Sequence, residues 1–218
     1  MTNTLLDPKT VQHVFTDCVD ARNDLSIVSG TLKVAYEKIG LVGLRVTYST
    51  TTPIVLHLAS DVVFEIIDPL VLDLAPTGSA LDVKLQGKYS LERENRSLGK
   101  MIHEPSYHAV SDIGCISIPN ASWATSFVNA SGATLFSLST TVSGYKRCPK
   151  AREACPLAGG VIRYERRGRI AKDPLHEPHD FLGVTIELLG GHLARFTFDD
   201  GKARIKETTR DDVLRCKP

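Results

Sequence analysis

The stretch ALDVKLQGKYSLER, Ala80–Arg93, decides the fold class of this chain. Its apolar side chains fall on alternate positions, with Gly87 as the one gap: Leu81, Val83, Leu85, Tyr89 and Leu91. Polar side chains occupy most of the positions between them. Because successive side chains of a strand point to opposite faces, this pattern predicts a strand with one buried and one solvated face. A helix would scatter both sets around its circumference.

The same alternation recurs along much of the chain. Earlier strands are indicated by Leu32, Val34 and Tyr36 and by Leu44, Val46 and Tyr48. Pro69 is expected to divide the apolar region Ile54–Leu74 into two strands, because proline cannot donate to a ladder. Near the end, turn signals separate a predicted meander of three strands. These strands are Phe181–Leu189, Leu193–Phe198 and Ala203–Glu207.

These patterns predict an all-β protein with about ten strands in a single antiparallel β-sandwich or jelly-roll-like domain over residues 25–218. Residues 1–24 are predicted to form an N-terminal helical segment. Its helix would cover Asp7–Asp20, with Asp7 as the cap and Pro8 in the first turn. A division into two small β-domains near Glu92–Ser111 is the alternative.

Composition narrows the functional classes. The chain has 218 residues, of which 42% are hydrophobic and 23% charged, with a net charge of +1. The protein as a whole is therefore not a general binder of polyanions. No apolar run approaches the roughly 18 residues of a membrane span, and the start does not resemble a signal peptide. We expect no membrane contact, a cytoplasmic or virion location, and reduced thiols for the five cysteines.

The strongest charge feature is the basic segment, Tyr145–Lys172. It holds nine cationic residues against only Glu153 and Glu165. The nine are Lys146, Arg147, Lys150, Arg152, Arg163, Arg166, Arg167, Arg169 and Lys172. Clustered arginine and lysine neutralise phosphates and release counterions, so this segment predicts contact with nucleic acid. The alternatives are a solvated basic loop or a partner for the acidic N-terminal segment.

Two similar histidine motifs are the second candidate site. HEPSYH and HEPHD lie in the regions Glu92–Ser111 and Gly168–Asp180, both predicted to be polar surface loops. Imidazole and carboxylate groups on loops above a β-scaffold suit a divalent metal. The candidate ligands are His103, His108, His176 and His179. The alternative is that the shared tripeptide His-Glu-Pro is an ordinary surface-loop sequence.

A third motif surrounds Cys115 in SDIGCISIPN. Gly114-Cys115-Ile116 followed by Asn120 resembles part of the nucleophile motif of the L,D-transpeptidases. That resemblance implies a cysteine nucleophile with a histidine base. The chain departs from the family pattern at Ile113, where the family has histidine, and at Ser117, where it has arginine. The alternative is a cysteine buried in a strand.

The sequence shows no concentrated set of catalytic residue types, so no catalytic residue is assigned. The leading interpretation is a non-enzymatic structural or assembly protein. Most concretely, it is a capsid-type jelly-roll subunit that self-associates and contacts RNA through the basic segment. One alternative is a β-barrel enzyme or ligand binder with a histidine and carboxylate metal site. The other is a monomeric β-sandwich interaction module.

Overall fold

The computed structural model describes residues 1–20, 25–57, 61–93, 99–148, 156–168, 181–191, 193–199 and 202–207. Within these ranges the chain forms thirteen strands and no helix. The strands are β1 (Thr2–Asp7), β2 (Thr10–Asp20), β3 (Leu25–Ile39), β4 (Gly43–His57), β5 (Asp61–Thr77), β6 (Ala80–Arg93), β7 (Lys100–Asp112), β8 (Cys115–Val128), β9 (Thr134–Arg147), β10 (Val161–Gly168), β11 (Phe181–Gly190), β12 (Leu193–Phe198) and β13 (Ala203–Glu207).

The strands form one sheet in which each strand lies beside the next along the chain, from β1 to β13. The prediction of an antiparallel all-β protein is confirmed, with thirteen strands in place of about ten. A jelly roll requires neighbours that are distant in the chain, and this order does not confirm that finer prediction. The β6 strand has the same bounds as Ala80–Arg93, the stretch from which the fold class was predicted.

The predicted N-terminal helix is wrong. Residues of the proposed helix form the end of β1, a turn and all of β2. The Asp7 carboxylate does accept a local backbone hydrogen bond, from the N–H of Lys9 at 2.7 Å, but it closes a turn between two strands. Val11 and Phe15 then pair with Val34 and Gly30 of β3. Cross-strand pairing outweighs the local helix signals here, since strand formation depends on such tertiary partners.

The predicted break at Pro69 is also wrong, because β5 runs continuously through it. Pro69 lies where the ladder with β4 is interrupted, between the pairs Tyr48–Leu70 and Ile54–Phe64. In this interruption the N–H of Ile66 donates to the Thr50 hydroxyl at 3.0 Å. Proline is tolerated on this side because no ladder hydrogen bond to β4 is made at its position.

The region Glu92–Ser111, predicted as a loop, contains most of β7. Its polar side chains have cross-strand partners that local sequence does not reveal. The Lys100 ammonium lies 2.8 Å from the Glu65 carboxylate, and Lys88 lies 2.6 Å from Glu104. These cross-strand ion pairs allow charged residues to occupy a strand here.

The chain divides into two compact units. The first consists of Met1–Ala75, Leu85–Pro105 and Thr125–Leu135, and the second of Pro76–Lys84, Ser106–Ala124 and Phe136–Pro218. Buried hydrophobic residues of the first unit include Val34, Val46, Ile54, Val62 and Ile66. The core cluster of the second unit is Tyr145, Ile162, Ile186, Leu188 and Ala194.

Candidate functional site

The described part of the basic segment comprises the end of β9 and all of β10. Five of the nine cations lie in it: Lys146, Arg147, Arg163, Arg166 and Arg167. The other four, Lys150, Arg152, Arg169 and Lys172, lie outside the described residues. Strand alternation places Arg163 and Arg167 on one face of β10 and Arg166 on the other. The cations of β10 are therefore divided between two faces.

Arg163 is the centre of an ionic network on the first of these faces. Its Nε donates to Glu165 at 2.6 Å, one terminal nitrogen donates to the Thr185 hydroxyl at 2.9 Å, and the other donates to Asp199 at 3.2 Å. The hydrogen bond to Glu165, with the one to Asp199, raises the pKa of Arg163. A guanidinium held by three partners is a structural element of this face, and these partners occupy three of its five N–H donors.

Arg167 lies farther along the same face. One of its terminal nitrogens is 3.8 Å from Glu165, while its side chain is 73% exposed. An ion pair this exposed contributes little to stability, and most of the Arg167 side chain is in contact with solvent. Arg167 is therefore the cation of β10 best placed to meet an anion.

On the opposite face of β10, Arg166 shares its side of the strand with Ile162 and Tyr164. It pairs with Leu138 of β9. The Arg166 Nε is buried and has no hydrogen-bond partner among the described residues. Leu138 and Tyr164 are both partly exposed, so this guanidinium lies on a mainly apolar surface.

Lys146 and Arg147 lie at the other end of the β9–β10 pair from Arg167. Arg147 forms a bridge with Pro156, whereas Arg167 pairs with Ser137. At about 3.4 Å per residue, these two positions are roughly 34 Å apart along β9. The described cations thus form no single patch, and a polyanion would have to follow the strand to reach both ends.

Lys146 is exposed and its charge acts on a neighbouring carboxylate. The pKa of Asp112 is lowered first by the backbone N–H of Ile113, then by the Ser79 hydroxyl, and also by the charge of Lys146. The Asp112 carboxylate accepts from Ile113 at 2.6 Å and from Ser79 at 3.0 Å. These contacts keep an anion close to the basic end of β9.

The two described histidines of the metal prediction lie on β7, on a strand and not on a loop. The His103 ring stacks on Tyr89 with centroids 4.9 Å apart, and its Nδ1 is 2.9 Å from the Thr125 hydroxyl. Its Nε2 is buried without a hydrogen-bond partner among the described residues. Burial lowers the pKa of His103, which favours the neutral imidazole.

His108 has a different environment from His103. Its Nε2 lies 3.0 Å from the Asp82 carboxylate, and both side chains are about one-quarter exposed. His176 and His179 lie outside the described residues. The part of the chain that the structure describes holds no group of three metal-ligating side chains. A metal site that combines both histidine motifs stays a prediction.

Cys115 is joined to Cys148 in a disulfide between the start of β8 and the residue after β9. The expectation that these thiols are reduced is wrong for this pair. A disulfide sulfur is not a nucleophilic thiolate, so in this state Cys115 lacks the reactive group that the transpeptidase resemblance implied. Cys18 is a free cysteine.

Two exposed apolar features were missed at the level of sequence. The first is the strand β1, in which all six residues are exposed, including Leu5 and Leu6. The second, which we term the apolar tip, is the turn between β3 and β4, residues Ile39–Leu44. The predicted helix concealed the first feature, whereas the run Ile-Gly-Leu-Val-Gly-Leu was a readable signal for the second.

No family model matches this chain, and no curated protein or solved structure does so either. Among the described residues there is also no helix of sufficient length and hydropathy to cross a membrane.

Proposed function

We propose that this chain is a non-enzymatic structural protein that self-associates, as a capsid-type shell subunit does. In this proposal the β1 strand of one copy pairs with β1 of a second copy. The supporting observation is that β1 is an edge strand of the sheet and is exposed along its whole length. Unpaired N–H and C=O groups on such an edge are a template for another strand.

The composition of the two edge strands favours β1 over β13. β1 reads TNTLLD and carries no lysine or arginine, while Leu5 and Leu6 are exposed. β13 reads ARIKE, in which three of the five residues are charged. Charged side chains on an edge, lysine above all, oppose unwanted pairing. β1 lacks this protection, and its antiparallel pairing with itself would create a closed two-fold contact.

The short length of β1 limits the strength of this contact. A six-residue strand would add a few backbone hydrogen bonds, each worth about 0.5–1.5 kcal/mol. Loss of translational and rotational freedom opposes this by about 4 kcal/mol or more. The β1 contact alone is therefore weak and reversible. Such a contact suits a subunit whose assembly depends on many simultaneous interfaces.

Light scattering of purified protein over a wide concentration range tests the proposal. We expect the mass to rise to a dimer or larger assembly, and Leu5→Lys/Leu6→Lys to shift association to higher concentration through like-charge repulsion. Ile205→Lys, which adds a charge to the β13 edge, is the matched control. A wild-type monomer at high concentration would reject self-association. If Ile205→Lys abolished association while Leu5→Lys/Leu6→Lys did not, the role of β1 would be rejected. The proposal of self-association itself would stand.

Contact with nucleic acid is a second and separable candidate function. It is supported by the exposed cations at the ends of the β9–β10 pair, Lys146 and Arg167. This function is tested by measuring the binding of single-stranded RNA at several salt concentrations. The ratio of absorbance at 260 and 280 nm shows whether the purified protein carries nucleic acid. We expect Lys146→Gln/Arg167→Gln to weaken binding to all sequences and reduce the salt dependence. Lys84→Gln, at an exposed lysine of β6, is the control. Absence of RNA binding at low salt would reject this function.

A further inference from the structure

The apolar tip carries the most exposed pair of adjacent large hydrophobic side chains among the described turns. Leu41 is 88% exposed and Val42 is 69% exposed. The ladder between β3 and β4 ends at the pair Ile39–Gly43, so both side chains project beyond the sheet. Gly40 adopts the left-handed region that a tight turn requires, with φ at +59°. The backbone therefore holds Leu41 and Val42 at a convex end.

Two lysines lie near the base of the tip. Lys38 is exposed and pairs with Leu44, one step below the end of the ladder. Lys9 is exposed on the neighbouring β1–β2 turn, and its carbonyl accepts a hydrogen bond from the N–H of Tyr36 at 2.7 Å. From the end of the β3–β4 hairpin inward, Leu41 and Val42 come first, and the two lysines and Tyr36 follow.

The acidic residues near the base are engaged by other groups. Glu37 lies 3.9 Å from a terminal nitrogen of Arg45, which also forms a two-point contact with Asp73. The Asp7 carboxylate accepts from the backbone N–H of Lys9, and that hydrogen bond lowers the pKa of Asp7. Asp7 thus stays ionised and Glu37 lies beside Arg45, so Lys9 and Lys38 act as two individual positive charges near the tip.

We propose that the apolar tip inserts into the boundary between headgroups and acyl chains of an anionic phospholipid bilayer. Leu41 and Val42 enter the hydrocarbon, while Lys9 and Lys38 contact lipid phosphates. The Tyr36 ring, which is 42% exposed, reaches the interfacial zone where amphipathic aromatic rings are favoured. Together these positions match the layered chemistry of a membrane surface.

Geometry favours a lipid surface over a protein partner. A stable protein interface buries about 800 Å² on each partner, which a two-residue convex tip does not supply. A fluid bilayer needs no matching pocket, and each side chain that enters hydrocarbon adds affinity by itself. The sequence predicted no membrane contact because it holds no spanning segment, and the interfacial contact proposed here departs from that prediction. It does not rest on the proposed self-association.

Flotation of the full chain with lipid vesicles tests the inference. We expect binding to vesicles of phosphatidylcholine with about one-third phosphatidylserine, and weaker binding to phosphatidylcholine alone. Leu41→Ser/Val42→Ser should lower the partition coefficient about tenfold or more on both vesicles. Lys9→Gln/Lys38→Gln should lower it only on the anionic vesicles, and added salt should have the same effect.

Ile113→Ser is the matched control, since Ile113 is a 77% exposed apolar residue on another turn. The depth of insertion is measured by tryptophan fluorescence in a variant that combines Trp123→Phe with Val42→Trp. The single tryptophan of this variant then lies in the tip. Vesicles should shift its emission to the blue, and lipids with brominated acyl chains should quench it. The inference is overturned if wild-type protein does not float, if Leu41→Ser/Val42→Ser floats equally well, or if Ile113→Ser has the same effect. Light scattering of each variant shows whether self-association has changed independently.

Discussion

Gly87 of β6 lies against the backbone of Leu70 in β5. A Cβ atom built on Gly87 would lie 2.8 Å from the Leu70 Cα and 2.6 Å from the Pro69 carbonyl oxygen. Gly87 also has φ at +149°, a conformation that residues with a Cβ rarely adopt. The one gap in the alternating pattern of Ala80–Arg93 is thus a point of close approach between β5 and β6.

We expect Gly87→Ala to lower the free energy of unfolding by about 2–4 kcal/mol, because it combines backbone strain with overlap against rigid backbone atoms. Urea denaturation measures the effect. Gly78→Ala is the matched control, since Gly78 also has a positive φ but a Cβ there meets nothing within 4 Å. Its cost should be about 1 kcal/mol. Equal costs for the two variants would show that the close approach to β5 is not important.

The disulfide between Cys115 and Cys148 encloses a long segment of chain. With a sequence separation of 33, closing this loop removes about 3–4 kcal/mol of unfolded-state entropy. We expect Cys115→Ser/Cys148→Ser to lower the free energy of unfolding by about this amount, and a reducing agent to have the same effect on wild-type protein.

Thermal unfolding with and without a reductant measures the contribution of the disulfide. Cys18→Ser, at the free cysteine, should unfold like wild type and retain sensitivity to reductant. Insensitivity of wild-type protein to reductant, with mass spectrometry that finds both thiols free, would contradict the disulfide.

His103 should make stability depend on pH. Burial lowers its pKa below the ordinary value of 6.5, so the unfolded chain takes up a proton at higher pH than the folded chain. Neutral His103 therefore makes its full contribution to stability above about pH 6.5, and this contribution falls as the pH decreases below that value. The contribution stops falling below the pKa of His103 in the folded chain, where the folded and unfolded states both carry the proton.

Urea denaturation at a series of pH values measures this dependence. His103→Gln should remove the part that His103 contributes to the slope of unfolding free energy against pH. His57→Gln, at an exposed residue at the end of β4, is the control. An unchanged slope in His103→Gln would mean that the imidazole is not in a site that penalises its charge.

The network of Arg163 should stabilise the second unit more than an isolated surface ion pair does. We expect Arg163→Met to lower the free energy of unfolding by about 1–2 kcal/mol, because several charge-assisted hydrogen bonds are lost together. Arg195→Met removes a single contact with Glu187 at 3.0 Å and should change stability by less than about 0.5 kcal/mol. Similar costs for the two substitutions would contradict the network.

Local patterns in the chain predicted much of the secondary structure. The bounds of β6, β12 and β13 match the alternation and turn signals of the sequence, since side-chain period and turn chemistry are local properties. β2 and β7 were not predicted. Both contain polar residues or helix-like termini, and they form strands only because neighbouring strands supply partners.

The candidate sites were less predictable than the strands. The basic segment was readable as a composition, but its division into two faces and two ends follows from the register of β9 and β10. The edge position of β1 and the exposure of Leu41 are likewise properties of the assembled sheet. Neither is encoded in the residues of one strand alone.

An antiparallel all-β chain is predictable from local sequence, because a repeat of two residues with short turns leaves few other ways to bury one face of each segment. The contacts between distant groups, such as Arg163 with Asp199 and Cys115 with Cys148, are visible only in the folded chain. Strand order and register set these contacts. Both depend on the free energy of pairing whole strands, which no local pattern specifies.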